Sequence, residues 1–375
     1  MIREAFGLIY TGEELPNLRE LVEERTVAAL PIGGKYRTID FPLSNMVNSD
    51  IRSIGVIVSR KYSSLMDHLG SGKAWDLSRK GEGLFILTPY SLRENPGIYR
   101  GKVEALRSSL DFVRRVRQEY CVLAGTSSVY NFDYSDMMRY HISSNADITA
   151  LYHNVYPGYH VDDHYHEVFF DLTDEGRIMG MEVNPVLTKL TARSLKSYII
   201  RKDILIYLVE ECFSKGMYRF SENLLRNNLD RLRIMAYEHP GYVGLLRSVQ
   251  SYYDVNMDLL NREVREELLQ SKNRIYTKTK DSVPAKYMAT ANVSRSLVAN
   301  ECIIAGKIEN SVIFRDVRIG KDAVVKNSVL LPSVEVGDGA ILEHVILDKN
   351  VSVRSRSRLV GNDRFPVVVS KGGLV

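Results

Sequence analysis

The chain has 375 residues, 45% hydrophobic and 26% charged, with 50 Lys plus Arg against 46 Asp plus Glu. That is the profile of a soluble globular protein long enough for two cores. The net charge of +4 comes without a dense basic block, which argues against a nucleic-acid partner; cations that matter should act locally on a small anion. Cys121, Cys212 and Cys302 are far apart and lack metal-ligand spacing, so they read as buried thiols of a cytosolic protein, with no disulfide and no metal. The opening MIREAFGLIYTGEELP has no signal-peptide character. No apolar run approaches the roughly 20 residues that cross a bilayer, so a cytoplasmic protein without a membrane partner is expected.

Short apolar runs alternate with helical patterns over residues 1–260, the signature of an α/β domain with a Rossmann-like parallel sheet. Residues 6–10 (FGLIY), 54–58 (IGVIV) and 120–124 (YCVLA) predict buried strands. Residues 102–118 place Val103, Leu106, Leu110 and Val113 at helical spacing. Residues 167–171 and 177–182 flank the turn Thr173-Asp174-Glu175-Gly176 and predict a hairpin, and 203–212 predict another amphipathic helix. The charged, non-periodic stretch 261–291 reads as an interdomain connection.

In residues 292–375 the rhythm changes. Val317, Ala323 and Val329 recur at every sixth place, and after a one-residue slip near Pro332 the period resumes at Val334, Ala340 and Ile346. Small or aliphatic residues at that interval fit the inward positions of a left-handed parallel β-helix, with room for about four coils between Arg295 and Gly361. A plain antiparallel β domain is the alternative. A β-helix buries its core by stacking and leaves strand edges at its ends, which favours oligomers. Arg354, Arg356 and Arg358 read as one face of a coil, either solvated or in contact with a subunit or anion. His68 and the lone Trp75 read as supports of the fold.

Several segments resemble the glucose-1-phosphate adenylyltransferase (ADP-glucose pyrophosphorylase) family. Residues 33–45 read GGKYRTIDFPLSN, residues 64–77 read SLMDHLGSGKAWDL, and Tyr99-Arg100-Gly101 resembles the start of that family's YRGTADA segment. The resemblance implies a nucleotidyltransferase that joins ATP and glucose 1-phosphate with Mg²⁺. It also implies where the machinery should lie, and there this chain departs.

The family's glycine-rich GGxGxRL loop corresponds here to Gly12-Glu13-Glu14-Leu15-Pro16-Asn17-Leu18. Glu13 and Leu15 replace glycines whose backbone would approach a triphosphate, Asn17 replaces an arginine, and Pro16 removes a donor. One carboxylate ~4 Å from a phosphate costs about 4 kcal/mol at an effective dielectric of ~20. Val27 stands for the lysine of RAKP, and Ser127 and Leu245 (or Leu246) stand for the two aspartates that hold Mg²⁺. Asn184 stands for the lysine of VEKP, Arg219 for a sugar-binding aspartate, and Lys102-Val103-Glu104 for Thr-Ala-Asp. Neutral Ser and Leu do not hold a hard dication; Asp133 is the nearest substitute carboxylate. No catalytic residue is therefore expected in this chain, and Mg²⁺ and ATP are expected only in a catalytic partner.

Arg25, Arg37 and Lys371 match cationic positions of the family's effector site, which implies a sugar bisphosphate or phosphate ligand. For Arg37, structural pairing with Asp40 is the competing reading. The pattern looks most like the family's non-catalytic glycogen-biosynthesis subunit. That implies a heterotetramer with a catalytic glucose-1-phosphate adenylyltransferase subunit; a homo-oligomer alone, an autonomous enzyme with a rewired site and a free-standing sugar-phosphate sensor stay open. A hexapeptide acyltransferase is disfavoured by few repeats and no evident catalytic histidine.

Overall fold

The computed structural model describes residues 4–79, 81–89, 99–156 and 167–375. The apolar runs form a nine-stranded sheet. Its strands are β1 (Ala5–Tyr10), β2 (Ser53–Ile57), β3 (Gly83–Leu87), β4 (Tyr120–Ala124), β5 (Ile148–Asn154), β6 (Val168–Leu172), β7 (Ile178–Val183), β8 (Ala192–Arg201) and β9 (Ile234–Glu238). β1 lies between β2 and β4, parallel to both, with Gly7 opposite Ile54 and Val122. β8 runs antiparallel to β4 and β5, and β9 pairs parallel with β5. All six residues of β1 are buried, as expected of a central strand covered on both faces. Phe6, Leu8 and Leu123 pack into one core and Ile9, Val122 and Ala124 into another.

The predicted hairpin is β6–β7, closed at Gly176 with φ +80. The helix expected over 102–118 is divided into Lys102–Ser108 and Leu110–Arg115. At the break, Ser109 Oγ donates to the Ala105 carbonyl at 2.9 Å, a back-bond that competes with regular helix. The helix expected over 203–212 spans Lys202–Ser214.

The second unit is a three-sided parallel β-helix whose three sheets each have five strands. Val317, Ala323, Val329, Val334, Ala340 and Ile346 are all fully buried, as the sixfold period requires. The stack is longer than the expected four coils. Lys286–Tyr287 already pairs with Ile303–Ile304, and Val367–Val369 closes the other end on Val345–Leu347. The stretch read as a connection also contains the helix Arg262–Leu269, whose Leu268 and Leu269 are buried. Its apolar side is too short to stand out from the surrounding charge. Arg354, Arg356 and Arg358 do not share a face: Arg356 turns a corner with φ +64 between the strands Ser352–Val353 and Arg358–Val360.

The two units share a third core. Leu15, Leu18, Val27, Leu246 and Tyr252 pack with Val312, Phe314, Val329, Leu331 and Ile346 of the β-helix. Tyr253 reinforces this seam by donating to the Asn327 carbonyl at 2.7 Å. No helix among the described residues is long and apolar enough to cross a membrane.

Candidate functional site

The GGKYR segment opens on a tight left-handed turn that favours glycine. Gly33 and Gly34 have φ +57 and +87, and a Cβ on Gly33 would meet Leu259 at 2.7 Å. The turn sets Lys35 and Arg37 on the wall of a cavity of about 430 Å³ between the domains. Lys278, Lys280, Arg315 and Lys349 join them there, against a single lining carboxylate among the described residues, Asp67. A concave site with convergent cations and little acid has the electrostatics to hold a compact polyanion.

Arg37 Nη1 donates to the Ser64 carbonyl at 2.6 Å and to Ser64 Oγ at 2.9 Å. The expected alternative, pairing with Asp40, takes a different form. The Arg37 backbone N–H donates to Asp40 Oδ2 at 2.9 Å, while Oδ1 faces His68 Nε2. His68 packs edge-on against the buried Trp75. Arg25 lies behind the cavity, 5% exposed, with Nη2 donating to both oxygens of Asp348 at 2.7 and 2.6 Å. Its Nη1 is buried without a hydrogen-bond partner among the described residues.

Burial, reinforced by Arg37, Arg25 and Arg315, pushes the Lys349 ammonium down to about 8. Burial also lowers Arg37 and Lys280 below their ordinary values. Lys371 is not part of the cavity wall; it pairs with Glu24 on the surface. The sequence therefore pointed to Arg37 on the wall and Arg25 behind it, but missed Lys35, Lys278, Lys280, Arg315 and Lys349. Of these, Lys35 was legible within GGKYR, whereas the others come from segments without a shared motif.

The second cleft lies at the C-terminal ends of β1 and β4. Ser127 and Leu245 line one cavity of about 10 Å³ together with Glu167, Arg193 and Lys196. The Ser127 carbonyl accepts from Leu246 N–H at 2.9 Å. Asn184 is held nearby, its N–H donating to the Glu167 carbonyl at 2.7 Å. Glu167 pairs with Arg247 at 3.1 Å, and its other oxygen has no hydrogen-bond partner among the described residues.

Asp133 is committed elsewhere as the N-cap of the helix Tyr134–Ser143, accepting from Ser135 N–H at 2.9 Å and from Ser49 Oγ at 3.3 Å. It is a capping residue, which answers the suggestion that it substitutes for a metal ligand. Among the described residues no group of three or more His, Cys, Asp or Glu is arranged to hold a metal ion. Leu15 and Val27 belong to the shared core at 5% and 2% exposure. Asn17 sits in the 3₁₀ turn Pro16–Val22, and Arg219 is an exposed partner of Glu222.

A mixed sheet with a loop at its switch point, followed by a hexapeptide β-helix, defines a sugar-nucleotidyltransferase architecture. Residues 11–263 match the family described as nucleotidyl transferase, and residues 282–367 match the GlmU-like C-terminal hexapeptide family, a left-handed β-helix. Among similar proteins, the glycogen biosynthesis protein GlgD of Bacillus subtilis (strain 168) is 35% identical over 98% of this chain and 96% of its own length. GlgD of Geobacillus stearothermophilus is 36% identical over 87% of this chain and 84% of its own. The glucose-1-phosphate adenylyltransferase of Mycoplasma mobile is 32% identical over 86% and 85%. The chain belongs to the glucose-1-phosphate adenylyltransferase family of nucleotidyl transferases, in the company of its GlgD members.

Proposed function

We propose that this chain is a catalytically deficient regulatory subunit of glucose-1-phosphate adenylyltransferase in bacterial glycogen biosynthesis. One observation carries the reading. The positions that the resemblance assigns to metal aspartates are Ser127 and Leu245 or Leu246, and Ser127 and Leu245 meet on one small cavity. The residues present do not fit a magnesium–nucleotide complex, because the hard cation has no carboxylate at either position. Two further positions, Leu15 and Val27, have been given over to the core between the domains, so reversing them would cost packing.

The cationic interdomain cavity supplies what a regulator needs. An anion held by Arg37 and Lys280 on one side and Arg315 and Lys349 on the other binds both domains at once. Such a ligand biases their relative arrangement and any subunit seated on it. The expected assembly is a heterotetramer with a catalytic subunit, in the cytoplasm. Adding this chain to a purified catalytic subunit from the same organism should change its turnover, substrate affinity or effector response. Unchanged values of all three across a range of ratios would defeat the proposal.

The cavity is complete within one chain, and that favours a second reading, a stand-alone sensor. Calorimetry with fructose 1,6-bisphosphate on the isolated chain, followed by the same titration with the partner present, separates the two: a sensor binds equally in both.

The Lys349 shift gives the anion site a pH signature. Lys349 is mostly charged at pH 7 and mostly neutral at pH 9. Sulfate is the probe, since its own charge is constant over that range. Its affinity should fall about tenfold between pH 7 and pH 9 as the ammonium is lost. Lys349→Arg should abolish most of that dependence while retaining binding, and a flat profile in the parent chain would place the anion elsewhere.

A further inference from the structure

The small cleft contains a donor set with its own anion already in place. Thr126 N–H donates to Glu13 Oε2 at 3.0 Å. The carboxylate lies against Gly125, where a Cβ would stand 2.8 Å from Oε1 and push it aside. Lys196 Nζ is 3.9 Å from Oε1. That lysine sits at φ +54 inside a register shift of β8 between Ser194 and Tyr198, a bulge that re-aims a side chain.

The Lys102 ammonium stands 4.9 Å from the Phe220 ring centre, 5.6 Å from Tyr10 and 5.7 Å from Tyr198. Burial lowers it to about 8, with Glu13 acting in the opposite sense. Thr126 Oγ1 is buried with no hydrogen-bond partner among the described residues. Glu14, the other acid of the loop, points to solvent. The loop is anchored from behind by Thr26 Oγ1, which donates to the Thr11 carbonyl at 2.9 Å.

A backbone N–H, a buried hydroxyl and two ammonium groups are what a phosphoryl oxygen needs. We propose that Glu13 is a resident anion in a latent oligophosphate site formed by Thr126, Lys102 and Lys196, and that its carboxylate keeps phosphoryl ligands out. The cleft is then held in its loaded state by the chain itself, and a phosphoryl ligand must displace Glu13 to enter. This inference goes beyond the regulatory reading and does not depend on a partner: it concerns the isolated chain, and either can fail without the other.

The test is calorimetry with inorganic pyrophosphate on the full chain, in an Arg315→Ala/Lys349→Ala background that removes interdomain cations. The parent should bind weakly or not at all. Glu13→Ala should bind at least about tenfold tighter, the factor expected of a charge-assisted contact regained, and Glu13→Ala/Lys196→Ala should lose that gain. Competition by ATP tells whether the opened site takes a nucleotide's phosphates or the free oligophosphate alone.

Glu13→Gln keeps the side-chain shape and removes the charge, so it reports even if the alanine variant does not fold. It should lower the urea midpoint by leaving Lys102 and Lys196 facing each other uncompensated. Pyrophosphate affinity of Glu13→Ala equal to the parent's, a gain that survives loss of Lys196, or an unchanged midpoint for Glu13→Gln would each overturn the assignment.

Discussion

Asp348→Ala should be the most damaging single substitution at the domain seam, costing about 3–5 kcal/mol, the range for breaking one side of a buried ion pair. Arg25 and Asp348 are 5% and 1% exposed, so the abandoned guanidinium has no water to turn to. Lys349, Arg37 and Arg315 stand in the same neighbourhood, and their mutual repulsion adds to the penalty. The same substitution withdraws the acid that favours the charged form of Lys349, so sulfate affinity should begin to fall at a lower pH than in the parent chain. The double change Arg25→Met/Asp348→Leu should cost much less than the single one, since it leaves no buried charge. If Asp348→Ala unfolds at the parent's urea concentration, the pair contributes nothing and the seam is held by apolar packing alone.

Returning aspartates to Ser127 and Leu245 should give no adenylyltransferase and a weaker fold. Ser127 is 3% exposed, and a carboxylate there would share a cavity of about 10 Å³ with Glu167. An acid placed in that setting is destabilised as a charge and shifts toward its neutral form, at a cost on the order of a few kcal/mol. Glu13 would still fill the phosphate position, and Val27 would still be a core residue with no ammonium to offer. The expected result is a lowered urea midpoint and no Mg²⁺-dependent ADP-glucose in an assay of the isolated double variant. Robust turnover would show that the two aspartates were the only lesion and that the loop and the core had been misjudged.

Much of this protein was legible before any coordinates. The central strands announce themselves as unbroken apolar runs because both faces of a parallel strand are buried. The β-helix announces itself because each side of its coil returns an aliphatic residue to the interior at a fixed interval. Val317 and Ala323, fully buried, are examples of a local period set by local geometry. The resemblance added the positions at which this chain departs from the family's machinery, and Ser127 and Leu245 do lie together.

What the sequence could not supply was proximity between residues without a common motif. The cationic cavity joins Lys35 to Lys278, Arg315 and Lys349, segments brought together only when the β-helix docks on the sheet domain. Arg25 and Asp348 meet across 323 positions of chain. Whether a substituted position is merely empty or has been given another duty was likewise decided in three dimensions. Val27 became part of the shared core, Asp133 became a helix cap, and Glu13 turned inward to the groups that would otherwise hold a phosphate. Periodicity and motif are properties of neighbours along the chain; pairing of buried charge and filling of a cavity are properties of neighbours in space, and only folding fixes those.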